Sequence, residues 1–211
     1  MVAPQGIESQ VLNDAATLRR ALEAGLPGLV KKKPGRPYLV VLSGLPGTGK
    51  SHFARKLAER VPLVVVGSDR SRKTLVPRPR YTSGEHARVF AACHRLIDEL
   101  LTQGYSLVFD ATNLTERFRQ PLYDIAHRAG AGMLVVWFTA PTRVVRRRLE
   151  QRAAGLGPAG DSDADWLVYC RLRPGEETVQ GPHLAVDSAA DISPALEEVV
   201  RRITGPQEDP G

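Results

Sequence analysis

The stretch Ser43-Gly44-Leu45-Pro46-Gly47-Thr48-Gly49-Lys50-Ser51 decides the fold of this chain. From Gly44 onward it follows the phosphate-binding pattern of a glycine, four residues and then Gly-Lys-Ser. The apolar run at 38–42 before it has the character of a strand, and apolar residues recur after it at helical spacing (Phe53, Ala54, Leu57, Ala58 and Val61). A strand, this loop and a helix in succession are the context that the motif requires. We therefore predict a loop that binds a nucleoside triphosphate, rather than a glycine-rich turn that only links two elements.

Each part of this loop has a physical role in binding a triphosphate. Glycines let the backbone turn its N–H groups inward on a phosphate, and the start of the following helix adds partial positive charge. Lys50 is placed to reach the β- and γ-phosphates, and the Ser51 hydroxyl is placed to ligate Mg²⁺. We expect Gly44 through Ser51 to bind ATP together with Mg²⁺.

Length and composition indicate one α/β domain with short appendages. The chain has 211 residues, of which 42% are hydrophobic and 25% charged, as is typical of a soluble globular protein. No apolar stretch approaches the roughly 20 residues that span a bilayer, and the first ten residues lack a signal-peptide core. Cys93 and Cys170 have no metal or redox spacing, which favours a cytoplasmic protein with reduced thiols. The net charge of +6 favours polyanionic ligands without identifying them.

Three segments are predicted along the chain. Residues 1–37 form an N-terminal helix and a basic linker, 38–205 the main domain, and 206–211 a frayed tail. Asn13 is expected to cap the N-terminal helix and Gly25 to end it. The basic linker at 31–37 has two interpretations, a nucleic-acid contact or a solvated connection, and the second is favoured because runs of charge are commonly solvated.

From residue 38 onward, strand and helix patterns alternate. Further strands are predicted at 63–66, 107–109, 133–138 and 183–187, and most are followed by an apolar stripe at helical spacing. The segment 70–81 is predicted as a basic connection broken by prolines. Five strands separated by helices imply a five-stranded parallel sheet flanked by helices, with its ligand site beyond the carboxyl ends of the strands.

Two aspartates stand at those predicted strand ends. Asp110 fits the position that supports Mg²⁺ behind a phosphate loop, and Asp69 is free to face an acceptor hydroxyl as a base. Spacing alone does not separate the two roles. An aspartate at a strand end can also cap the next turn, and that interpretation weakens because both occur beside a phosphate loop.

A strongly basic helix is predicted to begin at Pro141. Its arginines are Arg143, Arg146, Arg147, Arg148 and Arg152, and Glu150 is its one acidic residue. Arg148 and Arg152 are four residues apart and share a face, which could close over the phosphates. For the other three arginines, exposure to solvent on the helix surface is as good an interpretation as a role in the lid. The glycine- and proline-containing loop at 155–163 suits a closing lid.

The combination of these motifs resembles the P-loop kinases related to phage-type polynucleotide 5′-hydroxyl kinase. Zeta-type toxins and chloramphenicol phosphotransferase belong to the same group, often labelled AAA-family ATPases, and the resemblance covers about residues 38–203. It implies a P-loop NTPase fold of the nucleoside-kinase kind, with Asp69 as base, Arg72 on the acceptor side, and Arg148 and Arg152 on the ATP phosphates. It also implies that Asp110, Thr112 and Asn113 line the site, on the acceptor side or near the metal, with Thr112 and Asn113 binding the substrate. The resulting catalytic set is Lys50, Asp69, Arg72, Asp110, Arg148 and Arg152.

These features predict a kinase that transfers the γ-phosphate of Mg²⁺-ATP to a hydroxyl. The acceptor is either a small molecule, slightly favoured because few aromatic residues accompany the basic segment, or a nucleic-acid 5′ end. The alternative is an ATPase or nucleotide-dependent switch with no acceptor. A GTPase is disfavoured because Asp110 is followed by Ala-Thr-Asn and no Asn-Lys-x-Asp segment occurs.

Overall fold

A five-stranded parallel sheet lies at the centre of the protein, as the alternation of strand and helix patterns predicts. The strands are β1 (Tyr38–Ser43), β2 (Val64–Gly67), β3 (Leu107–Asp110), β4 (Gly132–Thr139) and β5 (His183–Asp187), in the spatial order β2-β3-β1-β4-β5. The structure is a computed structural model that describes residues 5–25, 35–156 and 160–205. The predicted contacts of the basic run 31–33 and the predicted frayed tail 206–211 lie outside these residues.

Helices cover both faces of the sheet. They are α1 (Gln5–Gly25), α2 (Lys50–Ala58), α3 (Ser68–Leu75), α4 (Ser83–Thr102), α5 (Glu116–Arg128), α6 (Thr142–Ala153), α7 (Trp166–Leu172) and α8 (Ser193–Thr204), with a 3₁₀ turn at Arg173–Gly175. β1 is buried along its whole length because it lies mid-sheet. Leu39 and Val41 join the core under α1, α4 and α5, whereas Val40 and Leu42 join the core under α2 and α8. The alternating direction of side chains along a strand explains this division.

The segment predicted as a basic, proline-broken connection is in part a helix, and that prediction was wrong. α3 begins at Ser68, directly after β2, and it ends at Leu75. Asp69 lies in its first turn, where a negative charge favours a helix, and Pro77 follows only after the helix has ended. α4 begins at Ser83, where the Thr82 hydroxyl caps it by accepting a hydrogen bond of 3.2 Å from the Glu85 N–H.

The N-terminal helix begins at Gln5, so the prediction that Asn13 caps it was wrong. Ala15 is fully buried and Leu18 is 3% exposed, both on the face that packs against the rest of the protein. The Asp14 carboxylate accepts two hydrogen bonds, of 2.7 and 2.8 Å, from the guanidinium of Arg88 on α4. α1 therefore completes one of the two cores.

The structure bears on two features of the sequence, the apolar length of its helices and its two cysteines. In the parts of the chain that the structure describes, no helix has the length and apolar character needed to span a bilayer. Cys93 is buried and Cys170 is exposed, and each is a free thiol.

Candidate active site

The phosphate loop connects β1 to α2 through backbone angles that favour glycine. Gly44 has φ 142° and Gly47 has φ 81°. A Cβ atom on Gly44 would lie 2.6 Å from the carbonyl oxygen of Phe138, and one on Gly47 would lie 2.9 Å from Cγ1 of Val145. The loop therefore packs directly against β4 and α6, and a side chain at either glycine would push it away from them.

The ammonium group of Lys50 is enclosed by the loop that precedes it. Nζ donates hydrogen bonds of 2.8 Å to the Gly44 carbonyl and 2.9 Å to the Leu45 carbonyl, and the residue is 8% exposed. Burial lowers the pKa of Lys50 to about 8, and the nearby carboxylates of Asp110 and Asp69 oppose that shift. Phosphate oxygens would be stronger acceptors for this ammonium than neutral carbonyls.

Ser51 and Asp110 form a pair of oxygen ligands that could hold a metal ion. The Ser51 hydroxyl donates a hydrogen bond to the Asp110 carboxylate. Burial raises the pKa of Asp110, whereas Lys50 and this hydrogen bond lower it. Among the described residues no cluster of three or more His, Cys, Asp or Glu side chains could hold a metal. Mg²⁺ commonly takes one or two protein oxygens and completes its shell with phosphates and water, so the pair fits that ion.

Asp69 lies beside this pair at the same edge of the sheet. β2 and β3 are adjacent, with Gly67 paired to Asp110 in register, and Asp69 follows two residues later in α3. The charge of Asp69 acts on the pKa of both Lys50 and Asp110. The fold thus brings together the phosphate loop and the two aspartates that the sequence singled out.

Arg72 lies on the same helix as Asp69 but is already engaged. Its guanidinium forms a buried ion pair with Glu85 of α4, and it lies 5.0 Å from the centre of the Tyr81 ring. Nη2 is 3.4 Å from Nδ1 of His86. Nε is buried with no hydrogen-bond partner in the described part of the chain. Arg72 is therefore held in place on the predicted acceptor side.

Thr112 and Asn113 tie the end of β3 to the end of β1. The Thr112 carbonyl accepts a 2.9 Å hydrogen bond from the Gly44 N–H. The Asn113 side chain is 1% exposed and donates through Nδ2 to the Leu42 carbonyl at 2.8 Å. Asn113 also has a left-handed backbone, with φ 43°. These contacts set the phosphate loop against the segment that carries Asp110.

The two arginines predicted for the lid lie near the phosphate loop. Arg148 donates through Nη1 to the Gly47 carbonyl at 3.3 Å, and its guanidinium also binds Ser188 through two hydrogen bonds of 2.8 and 2.7 Å. Arg152 is partly buried, and its charge lowers the pKa of Lys50. By contrast, Arg146 forms an exposed pair with Glu150 on the same helix. Residues 157–159 of the predicted lid loop lie outside the described residues.

Sequence reasoning missed a buried arginine behind the site. Arg119 of α5 is 0% exposed, and its Nη1 donates to the Asn113 carbonyl at 2.7 Å and to Ser43 Oγ at 3.3 Å. Its other nitrogens bond to the Glu116 carboxylate and to carbonyls at 177 and 178. The available signal was an arginine three residues before Leu122 on an apolar helix stripe, a position that normally holds a core side chain.

A second missed feature connects the lid loop to α3. Asp163 accepts a hydrogen bond of 2.7 Å from Lys73 Nζ and one of 2.8 Å from the Tyr81 hydroxyl. We call these two contacts the Asp163 clasp. The clasp therefore joins the segment that follows α6 to Lys73 and Tyr81 on the predicted acceptor side.

Comparison with known proteins gives one family and several relatives. The family model described as AAA domain matches residues 39–165. The L-seryl-tRNA(Sec) kinase of Methanococcus maripaludis is 27% identical over 119 residues, which are 54% of this chain and 46% of the relative. The match thus spans about half the length of that curated relative.

Two solved structures share the fold at low sequence identity. The APS kinase CysC of Mycobacterium tuberculosis, in complex with AMPPNP and APS, has a TM-score of 0.60 and 19% identity over 79% of this chain and 97% of that one. Kti12 of Chaetomium thermophilum, in complex with ADP-AlF3, has a TM-score of 0.63 and 19% identity over 79% of this chain and 100% of that one. These similarities, together with the family match, confirm the predicted fold and the resemblance to P-loop kinases.

Proposed function

Because the chain belongs to the AAA domain family, and its relatives in sequence and fold include P-loop kinases, we propose that it transfers the γ-phosphate of Mg²⁺-ATP to a hydroxyl group. The observation that supports this proposal best is the meeting of four groups at the carboxyl edge of the sheet. Lys50 and Ser51 end the phosphate loop, Asp110 accepts a hydrogen bond from Ser51, and Asp69 lies near enough to influence the pKa of Lys50.

The positions of the side chains support the following roles. Lys50 and the loop amides bind the β- and γ-phosphates, and Arg148 stands at the loop to offset charge that develops on the transferred group. Mg²⁺, held through Ser51 and Asp110, would neutralise phosphate charge when bound. Asp69 accepts the hydroxyl proton as the acceptor oxygen bonds to the γ-phosphorus. The bond from that phosphorus to the β–γ bridging oxygen breaks, and ADP leaves with its electron pair.

The acceptor hydroxyl belongs to a small molecule or to a nucleic-acid 5′ end. Exposed basic residues at Arg70, Arg78 and Arg80 favour an anionic acceptor. The name of the M. maripaludis relative refers to a serine linked to tRNA. We therefore include a hydroxyl linked to a nucleic acid among the acceptors to be tested.

The proposal is tested by transfer of labelled γ-phosphate to a panel of 5′-hydroxyl oligonucleotides, seryl-tRNA, nucleosides, sugar nucleotides and antibiotics. We expect D69N to abolish transfer while the affinity for Mg²⁺-ATP stays within about twofold, since Asp69 acts on the acceptor. Unchanged transfer by D69N would refute its role as base. ATP hydrolysis that no acceptor alters, with no transfer to any member of the panel, would favour the switch.

A further inference from the structure

Tyr81 lies on the acceptor-facing side of α3. Asp69, Arg72 and Lys73 are spaced three and four residues apart on this helix, so their side chains share one face. Tyr81 contacts two members of this face, through the Arg72 guanidinium under its ring and through Asp163, which also binds Lys73. The ring of Tyr81 therefore lies on the face of α3 that presents Asp69.

The backbone and the hydroxyl of Tyr81 are both held in unusual ways. Its φ is 56°, in the left-handed region that a bulky residue rarely adopts. Such strain persists where the surroundings impose it and is concentrated at functional sites. Its hydroxyl donates to Asp163, and yet 54% of the residue remains exposed. A large aromatic ring is thus fixed at its edge and on one face while much of its surface stays open.

Exposed basic residues directly precede Tyr81 in the chain. Arg78 and Arg80 lie three residues and one residue before it, both are exposed, and among the residues described by the structure neither forms an ion pair. Basic side chains that can follow phosphates, combined with an open aromatic face, are the two elements of single-stranded nucleic-acid binding. Neither an uncharged sugar nor an aliphatic acceptor would use both.

We infer that the open face of Tyr81 is a stacking surface of the acceptor subsite, and that the acceptor is a nucleotide unit with a base and a phosphate near its hydroxyl. This inference rests on the proposed function, because it takes Asp69 to mark where the acceptor hydroxyl binds. The base stacks on Tyr81 opposite Arg72, the phosphate lies among the exposed arginines, and the hydroxyl points to Asp69. Arg72, which is paired with Glu85, contacts the opposite face of the ring and fixes its position.

The competing explanation is that Tyr81 only tethers the lid loop through its hydroxyl. The two explanations separate because stacking needs the ring, whereas the tether needs only the hydroxyl and the Asp163 carboxylate. Y81F keeps the ring and removes the tether, Y81L removes both, and D163N weakens the tether from its other end. Comparing the three variants assigns any effect to one or the other.

Binding is measured by fluorescence with a 5′-hydroxyl hexanucleotide carrying 2-aminopurine at its first position. A matched hexanucleotide, abasic at that position and labelled at its distant 3′ end, reports binding without the base. We expect the wild-type protein to quench 2-aminopurine and to bind the first probe about tenfold more tightly than the abasic one. Y81L should lose the quenching and that tenfold preference, while Y81F and D163N should keep both. A second probe, 2-aminopurine riboside 3′-monophosphate, distinguishes binding of a free nucleotide from binding of a strand. Quenching of either probe by the wild-type protein supports the inference.

Two results would overturn the inference. One is a Y81L protein that retains the preference for the base-bearing probe. The other is equal loss in Y81L, Y81F and D163N, which would leave Tyr81 as a lid tether only. These outcomes are separate from failure of the proposed function. Phosphate transfer to acceptors without a base, and none to nucleotides, would preserve the kinase and remove the stacking surface, whereas base-dependent binding without transfer to any acceptor would do the reverse.

Discussion

At Gly47 the phosphate loop combines a backbone angle that side chains rarely adopt with a neighbour that leaves no room for one. Gly104 has a similar φ of 85°, against 81° at Gly47, but a Cβ there would meet nothing within 4 Å. We expect G104A to lower the free energy of unfolding by about 1–2 kcal/mol through strain alone. G47A should show that loss and, in addition, weaken Mg²⁺-ATP binding by at least about tenfold, because Val145 forces the loop to move. Denaturant unfolding and calorimetric titration measure the two effects, and equal nucleotide affinity in both variants would contradict this account.

The buried guanidinium of Arg119 also has a matched control on its own helix. Removing one partner of a buried ion pair typically costs about 3–5 kcal/mol, since the remaining groups lose their hydrogen bonds. R119M should lower the free energy of unfolding by that amount, because it leaves the Asn113 carbonyl, Ser43 Oγ and the Glu116 carboxylate without this donor. R117M, at an exposed position two residues earlier, should stay within about 0.5 kcal/mol. Similar losses in both variants would show that the buried network contributes little.

Residues at the site differ in how far sequence alone predicts them. The phosphate loop and Asp110 were predictable because each is a polar or glycine position directly after an apolar strand. The Asp163 clasp was not, since Tyr81 and Asp163 are 82 residues apart and share no pattern. Arg119 was hidden because a charge on an apolar stripe gives no indication of the carbonyls that meet it in the fold.

At the scale of elements, α3 shows where periodicity fails. Its sequence, SDRSRKTL, contains one apolar residue, and its buried members are Ser68, Ser71 and Arg72. Polar side chains that pair with α4 replace the apolar stripe on which helix prediction depends. The five strands were predictable for the opposite reason, because their continuous apolar runs are what a sheet covered on both faces requires.

His94 of α4 makes the stability of the protein depend on pH. It lies between the rings of Phe90 and Phe109, and burial, with a smaller effect from His86, lowers the pKa of His94 to about 4. Between about pH 6.5 and 4 the unfolded chain binds a proton here that the folded chain does not, so the free energy of unfolding falls as pH falls through this window. The loss from His94 reaches at most about 3 kcal/mol.

The H94L variant tests this linkage. We expect its unfolding free energy to depend less steeply on pH between about 4 and 6.5, with a residual slope from His86, whose pKa burial and Arg72 also lower. H127Q, which changes an exposed histidine on α5, is the matched control and should keep the wild-type slope. Urea unfolding at several pH values provides the measurement. An H94L slope as steep as that of the wild-type protein would mean that His94 titrates alike in the folded and unfolded states.

At the scale of the whole molecule, α1 lies outside the residues matched by the family model yet is part of a shared core. Leu18 of α1 belongs to the same buried cluster as Leu39 and Val41 of β1, the strand that leads into the phosphate loop. α1 also packs against α3, which carries Asp69. A helix in this position should unfold together with the sheet, because its apolar face has no other way to leave water.

This cooperativity can be tested with two leucines of α1. Leu18 is 3% exposed and Leu12 is 43% exposed. L18A should lower the free energy of unfolding by about 2–5 kcal/mol, the usual cost of a cavity at a buried leucine, whereas L12A should change it by less than about 0.5 kcal/mol. Unfolding followed by circular dichroism, which reports all helices, and by tryptophan fluorescence, which reports Trp137 in β4 and Trp166 in α7, should give coincident transitions in L18A as in the wild-type protein. An early transition in circular dichroism alone would show that α1 detaches while the sheet remains folded, and it would make α1 an independent unit.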